Sequence, residues 1–317
     1  MADRLGARNG CRRYRGLDQQ HPFGLSIQGR ELRAAAACAW VIDAGHRNCS
    51  LLLLNCLTRQ KDVDLLVSTT VSSSSEPALK LFEWCRTPVG TWDKSVFWIT
   101  NYRWFAKTVL SLKSVPFARV ISYPVSAALF CREKFKAAGA APKASTTEIE
   151  RCADFDSRFD EFWEELKEQN DNVLLAVRTR ETLAWHFQYS QMRRSVWILT
   201  ARKGSRLVAY AVDRQDNIPS GLKRVRFVDF QALKGSEEAL RSAVCWMLHQ
   251  CREQGIYILE NVGCRLERPG LPSIPAPDNR TLPSSSYYYK ASDSDLCETL
   301  KDAAVWAPSS FDGDASL

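Results

Sequence analysis

Apolar residues from Phe23 to Gln28 and from Leu32 to Ile42, separated by a turn at Gly29, predict two successive strands. Over Arg47 to Gln60 the leucines at 51, 52, 53, 54 and 57 leave almost no polar face, which predicts a packed helix. DVDLLVS at 62 to 68 reads as a short strand. The Thr69 to Ser75 cluster then caps a helix beginning near Glu76, with Pro77 in the first turn, where its missing N–H costs nothing. A strand at Val96 to Thr100 and a helix over Tyr102 to Leu112, with Phe105, Val109 and Leu112 on one face, follow.

Residues 136 to 152 are small, polar and broken by Gly and Pro, and are read as a linker between two domains, 23 to 135 and 153 to 317. Beyond it Phe155, Phe159, Phe162, Trp163 and Leu166 recur at helical spacing. The pattern then predicts a strand at Val173 to Val177 and a helix near Thr179 to Tyr189. A hairpin of Ser195 to Thr200 with Arg206 to Val212 turns at Lys203-Gly204, and a strand follows at Val225 to Phe230. A helix over Glu237 to Gln254 is stopped by Gly255, and strands come at Ile256 to Val262 and Tyr287 to Lys290. Residues 1 to 22 show no period and are expected to be unstructured, as is a loose tail after Trp306.

The two halves share an order: hairpin, long strand, helix, strand, about thirty variable residues, closing strand. A strand–helix–strand unit crosses over right-handedly to lay its strands parallel, whereas the preceding hairpin is antiparallel. Each half is therefore expected to form a mixed sheet flanked by helices, an α/β fold repeated in tandem.

With 45% hydrophobic and 25% charged residues in 317, the chain is expected to be an ordinary globular protein, and no run approaches the roughly 18 apolar residues of a membrane span. The net charge of +7 places +4 in the first sixteen residues, and the +3 left for the remaining 301 is read as too little for a nucleic-acid groove. Eleven cysteines include no CxxC pair, and several, such as Cys38, Cys56 and Cys245, sit inside apolar patterns, which suits small buried hydrophobes in a reducing cytoplasm. Four histidines without metal-ligand spacing predict no metal site.

The segments GRELRAAAACAWVIDAGHRNCSLLLLN at 29 to 55, SEPALKLFEWCRTPVGTWDKSVFWITNY at 75 to 102, ETLAWHFQY at 181 to 189, RLVAYAV at 206 to 212 and WAPSSFDGD at 306 to 314 resemble the GNAT acyltransferase superfamily. The order of elements is similar to the tandem, FemAB-like arrangement, with a first domain that lacks the opening strand and two helices. That resemblance implies acetyl-CoA or another acyl-CoA as co-substrate, and a small-molecule or peptidyl amine, or a hydroxyl, as acceptor. It places the coenzyme's pyrophosphate on N–H groups between the long strand and the core helix, where a helix N-terminus favours an anion.

The family pattern at that place is a basic residue or Gln, two variable residues, Gly, one variable residue, then Gly or Ala. In the first half it falls on Arg47, Asn48 and Ser50, with the bulky Leu52 at the second small position. In the second it falls on Lys234, Gly235 and Ser236, followed by Glu237 and Glu238, whose carboxylates stand where a pyrophosphate would lie. Asp229, at the end of the strand feeding the second core helix, is the candidate base. Among Tyr287, Tyr288 and Tyr289 the candidate acid for the leaving thiolate is Tyr288. A non-catalytic protein that keeps the fold for binding is the alternative. A first sheet missing its opening strand would leave an unpaired edge, which favours self-association.

Overall fold

The computed structural model describes residues 16–42, 44–90, 92–137, 147–217, 221–263, 278–282 and 286–312. Along the first stretch lie β1 (Gly16–Ile27) and β2 (Arg30–Ile42), a 3-10 turn (Ala44–Cys49) running into α1 (Ser50–Thr58), and β3 (Leu65–Val71). Then come α2 (Glu76–Leu81), β4 (Cys85–Arg86), β5 (Lys94–Ile99), α3 (Tyr102–Leu112) and α4 (Ala118–Ala137). The later stretch holds β6 (Glu148–Cys152), α5 (Arg158–Gln169), β7 (Leu175–Ala176), α6 (Arg180–Met192), β8 (Val196–Lys203) and β9 (Arg206–Asn217). It ends with β10 (Lys223–Ala232), α7 (Glu238–Glu253), β11 (Ile258–Val262), β12 (Asp278–Thr281), β13 (Ser286–Ala291) and α8 (Ser294–Thr299).

Local chemistry explains many of these boundaries. Gln28 and Gly29 both take positive φ, 50° and 68°, the two-residue turn whose twist matches a right-handed hairpin. The side chain of Asn101 accepts from the Trp104 N–H at the start of α3, and that of Thr179 from the Thr182 N–H at the start of α6. Gly255, at φ 63°, follows the end of α7 as expected.

Two mixed sheets result. One has the order β4-β13-β3-β2-β1-β7, with β2 and β3 parallel; the other has β12-β5-β11-β10-β9-β8-β6, with β10 and β11 parallel. Each contains the expected hairpin, long strand, core helix and parallel return strand. The closing strands, however, are exchanged. β5, from the first half of the chain, pairs with β11, and β13, from the second half, pairs with β3. The compact units are accordingly discontinuous, one of 1–93, 170–177 and 282–317, the other of 94–169 and 178–281, and differ from an expected division at 136–152. Interval lengths along a sequence report that a closing strand exists, not which return strand will accept it.

The strand content also extends beyond expectation. β1 begins at Gly16 and pairs with β2 up to Ile42, inside the stretch expected to be unstructured. Its other neighbour is β7, through Leu25↔Ala176 and Ser26↔Leu175, so this edge is paired over two residues. β6 occupies the end of the expected linker, past its Gly and Pro, and its charged residues are what an edge strand carries. Of the tail expected to be loose, residues 307 to 312 are packed, with Ala307, Ser309, Ser310, Phe311 and Asp312 buried, and 313 to 317 lie outside the described residues. In α1 only Leu54 and Leu57 are buried, while Leu51 and Leu52 are exposed.

The core of the second unit lies between the sheet and α7, whose Ala239, Leu240, Ala243, Val244, Met247 and Leu248 meet Trp197, Leu199, Phe227 and Leu259. Its opposite face receives α5, where Phe159 and Phe162 close on Tyr210 with ring centroids 5.4 and 5.3 Å apart. The core of the first unit sets Leu54 and Leu57 against Ala35, Leu66, Trp84 and Tyr288.

Candidate functional site

In the second unit β10 and β11 pair only from Arg224↔Ile258 to Phe227↔Asn261. A register shift between Phe227 and Asp229 marks a bulge in β10, after which β10 continues along β9 to Ala232 without β11 beside it. β11 ends at Val262, so the carboxyl-terminal part of β10 has an open side among the described residues, and the loop into α7 follows it. Asp229 lies at the bulge, but its carboxylate is fully buried and engaged. Arg178 donates from Nε at 2.8 Å to Oδ2 and from Nη2 at 3.1 Å to Oδ1. The Tyr210 hydroxyl donates to Oδ2 at 2.5 Å and Gln231 Nε2 to Oδ1 at 3.3 Å. A general base needs a lone pair free to take a proton, and this geometry is that of a buried ion pair.

The loop into α7 is also occupied by its own chain. The Lys234 N–H donates to Gln169 Oε1 at 2.7 Å, and its ammonium to the Gln169 carbonyl. The Gly235 N–H donates to Glu237 Oε1 at 3.1 Å, and the Ser236 N–H to the Leu233 carbonyl at 2.9 Å. Lys203 Nζ bonds Ser236 Oγ at 3.2 Å. The Glu237 carboxylate thus takes a donor that a pyrophosphate would use, and these residues do not fit that anion.

The first unit has the corresponding opening. β2 and β3 pair in parallel only at Ala34↔Leu65, Ala35↔Leu66 and Ala36↔Val67, and β2 runs on to Ile42. The 3-10 turn at Ala44–Cys49, broken by non-helical φ/ψ at His46, leads into α1 with no acidic residue in the first turn. Arg47 and Asn48 lie in this turn, their side chains outside the described residues; Ser50 begins α1 and is half-buried.

Tyr288 sits on β13 in this unit, so the structure does not bring it together with Asp229 in one sheet. Its ring is buried against Leu54 and Leu57, and burial, then the charge of Glu76, raises its phenol above the usual range. Tyr287 and Tyr289 turn the other way, each ring against Trp306.

No protein-family model matches the chain, and no characterised protein matches it in sequence. Solved structures do match in shape. A GCN5-related N-acetyltransferase from Kribbella flavida aligns with 90% of this chain and 59% of its own at 10% identity and TM-score 0.52. A probable N-acyltransferase from Enterococcus faecalis V583 aligns over 87% of this chain and 58% of its own at 13% identity and TM-score 0.52. The chain has the GNAT fold. Saccharomyces cerevisiae N-myristoyltransferase, solved with myristoyl-CoA bound, is similar over 86% of this chain and 66% of its own at 11% identity and TM-score 0.51. At such identities the likeness is one of fold, and the chain spans about three-fifths of the length of the two bacterial structures.

Within this GNAT fold the structure assembles a second polar cluster that sequence reasoning missed. Glu260 on β11 is fully buried; Ser95 Oγ donates to it at 2.7 Å and Arg224 Nη1 at 3.1 Å, and Arg226 and Arg280 complete its ion pairs. Burial pushes the Glu260 carboxyl up, but Arg280, the Ser95 hydrogen bond, Arg226 and Arg224 outweigh it and hold it below the usual range. The available signal was the alternation in KRVRF at 223 to 227, which sets Arg224 and Arg226 on one face of β10.

Proposed function

We propose that the protein transfers an acyl group from a coenzyme A thioester to an amine or hydroxyl acceptor, with the coenzyme seated at the first of its two clefts. The contrast between the two loops carries this reading. The Lys234–Ser236 loop has its N–H groups taken up by Gln169, Leu233 and Glu237, whereas the Ala44–Ser50 segment enters α1 with no carboxylate in the first turn. A pyrophosphate carries about two charges, and a helix start without acidic side chains favours it. Bound acyl-CoA would supply the activated thioester. On this reading the N–H groups of residues 47, 48 and 50 hold the pyrophosphate, Arg47 adds a charged donor, and the parting of β2 from β3 admits the pantetheine arm. Asp229 and Tyr288 are assigned no proton transfer, because the first is held in an ion pair and the second is buried against Leu54 and Leu57.

Arg47→Ala is expected to weaken acyl-CoA binding roughly ten- to a hundredfold, since a hydrogen bond to a charged group contributes about 1.5–3 kcal/mol. Calorimetric titration with acetyl-CoA and myristoyl-CoA checks this. Equal affinity of wild type and variant would refute the first-cleft seat. The engagement of Asp229 favours a second reading, a binding protein that keeps the fold without catalysis; acyl-CoA binding with no turnover across a panel of amines would select it.

A further inference from the structure

We propose that the α3–α4 hairpin is a docking surface for an anionic lipid bilayer, through which the protein is held at a membrane surface without crossing it. The reading does not depend on where the coenzyme sits. Residues 102 to 137 contain seven basic residues, Arg103, Lys107, Lys113, Arg119, Arg132, Lys134 and Lys136, against one acidic residue, Glu133. That net +6 nearly equals the charge of the whole chain. Arg103, Lys107, Lys113, Arg119 and Lys134 have no carboxylate within ion-pair distance among the described residues.

The same hairpin exposes large apolar side chains. Leu112, Phe117 and Val120 stand at the turn between the helices, Phe117 80% exposed, and Trp104, Tyr123, Phe130 and Phe135 are exposed along it. Among the described residues of α4 the buried side chain is Ser122, so the helix contributes no apolar residue to the core. Phe117 also holds φ 57°, a left-handed conformation that asparagine or glycine tolerates and phenylalanine does not. A bulky ring kept there, exposed, gains nothing from the turn or from packing in this chain.

Basic groups lie over the aromatic faces: Lys107 Nζ is 4.4 Å from the Trp104 ring centroid and Arg103 Cζ 4.4 Å from that of Tyr123. Cations level with aromatic rings, and aliphatic tips beyond them, suit a headgroup layer over acyl chains. Leu112 and Val120 at the tip offer no hydrogen bond or stacking plane to a nucleic acid. No helix among the described residues is long and apolar enough to cross a membrane, so the contact is interfacial.

Vesicle co-sedimentation of the full chain tests the proposal. Vesicles of phosphatidylcholine with about 30 mol % phosphatidylserine should carry down most of the protein, and phosphatidylcholine alone or ~0.5 M salt should weaken binding at least tenfold. Leu112→Gln with Phe117→Asn, the latter suited to the turn's φ, should reduce binding about tenfold and leave the melting temperature unchanged; Lys107→Glu with Lys113→Glu should abolish the preference for anionic lipid. Absence of vesicle binding by the wild type, binding indifferent to both pairs of substitutions, stronger binding to a polynucleotide at equal phosphate, or a dimer that the Leu112 and Phe117 pair dissociates would each overturn it.

Discussion

Asp229→Ala is expected to destabilise the second unit by about 3–5 kcal/mol, because it strands the Arg178 guanidinium in a site with no solvent exposure. In thermal melts this corresponds to a fall of roughly 6–20 °C in the transition. The pair is closed on every side: Arg178 binds both carboxylate oxygens, Tyr210 and Gln231 add donors, and Phe159 and Phe162 pack on the Tyr210 ring. Replacing both charges together, Arg178→Met with Asp229→Leu, should recover most of the loss, since a buried ion pair exchanged for apolar residues of similar volume is often neutral. A catalytic base would behave differently. Its removal would abolish turnover at nearly unchanged stability, and a double replacement would rescue nothing. Melts that leave Asp229→Ala as stable as wild type, with acyl transfer lost, would return Asp229 to the chemistry.

How much of this was legible in the sequence depends on whether the determining contact is local. The amphipathic period of Phe159, Phe162, Trp163 and Leu166 predicts α5, and all four are buried as the period requires. The Gly204 turn and the Gly255 stop are encoded in single residues. Glu237 in the loop before α7 was visible as an obstacle to an anion, and its carboxylate does take the Gly235 N–H. By contrast, α4 buries no apolar side chain among the described residues and contains Pro124, so it shows no core-facing period and none was predicted. The Arg178–Asp229 pair joins residues 51 apart, and no spacing rule links a strand-end aspartate to one arginine among many. Charge is likewise legible only segment by segment. Averaged over 301 residues the balance looked small, whereas acidic segments elsewhere had concealed the basic hairpin at 102 to 137.

Asp213 presents the opposite case to Asp229, a buried carboxyl with nothing to hold it. It lies on β9 opposite Trp197 on β8 and Phe227 on β10, facing the core under α7, with no solvent exposure and no hydrogen-bond partner for either oxygen among the described residues. Burial pushes its carboxyl well above the usual aspartate range, so the native state holds its proton beyond the pH at which the unfolded chain releases it. Nearby, burial pushes the Cys251 thiol up to about 12. The sign of the consequence follows from proton counting. Above the ordinary aspartate pKa of about 4 the unfolded chain releases this proton and the native state retains it, so Asp213 costs stability that grows by up to about 1.4 kcal/mol per pH unit until the folded pKa is reached. Asp213→Asn has no such proton, and Asp213→Val also removes the unsatisfied polar atoms, whose burial costs about 1–3 kcal/mol. Both variants are therefore expected to be more stable than wild type at pH 7, with a gap that widens in urea denaturation as pH rises above about 5. Parallel pH profiles, or a valine variant less stable than wild type, would mean that Asp213 has a partner in the folded protein. An increase of a few kcal/mol would be large against the 5–15 kcal/mol that holds a typical domain together. Two aspartates in adjacent strands of one sheet thus mark its extremes: removing the paired one should weaken the unit, and removing the unpaired one should strengthen it.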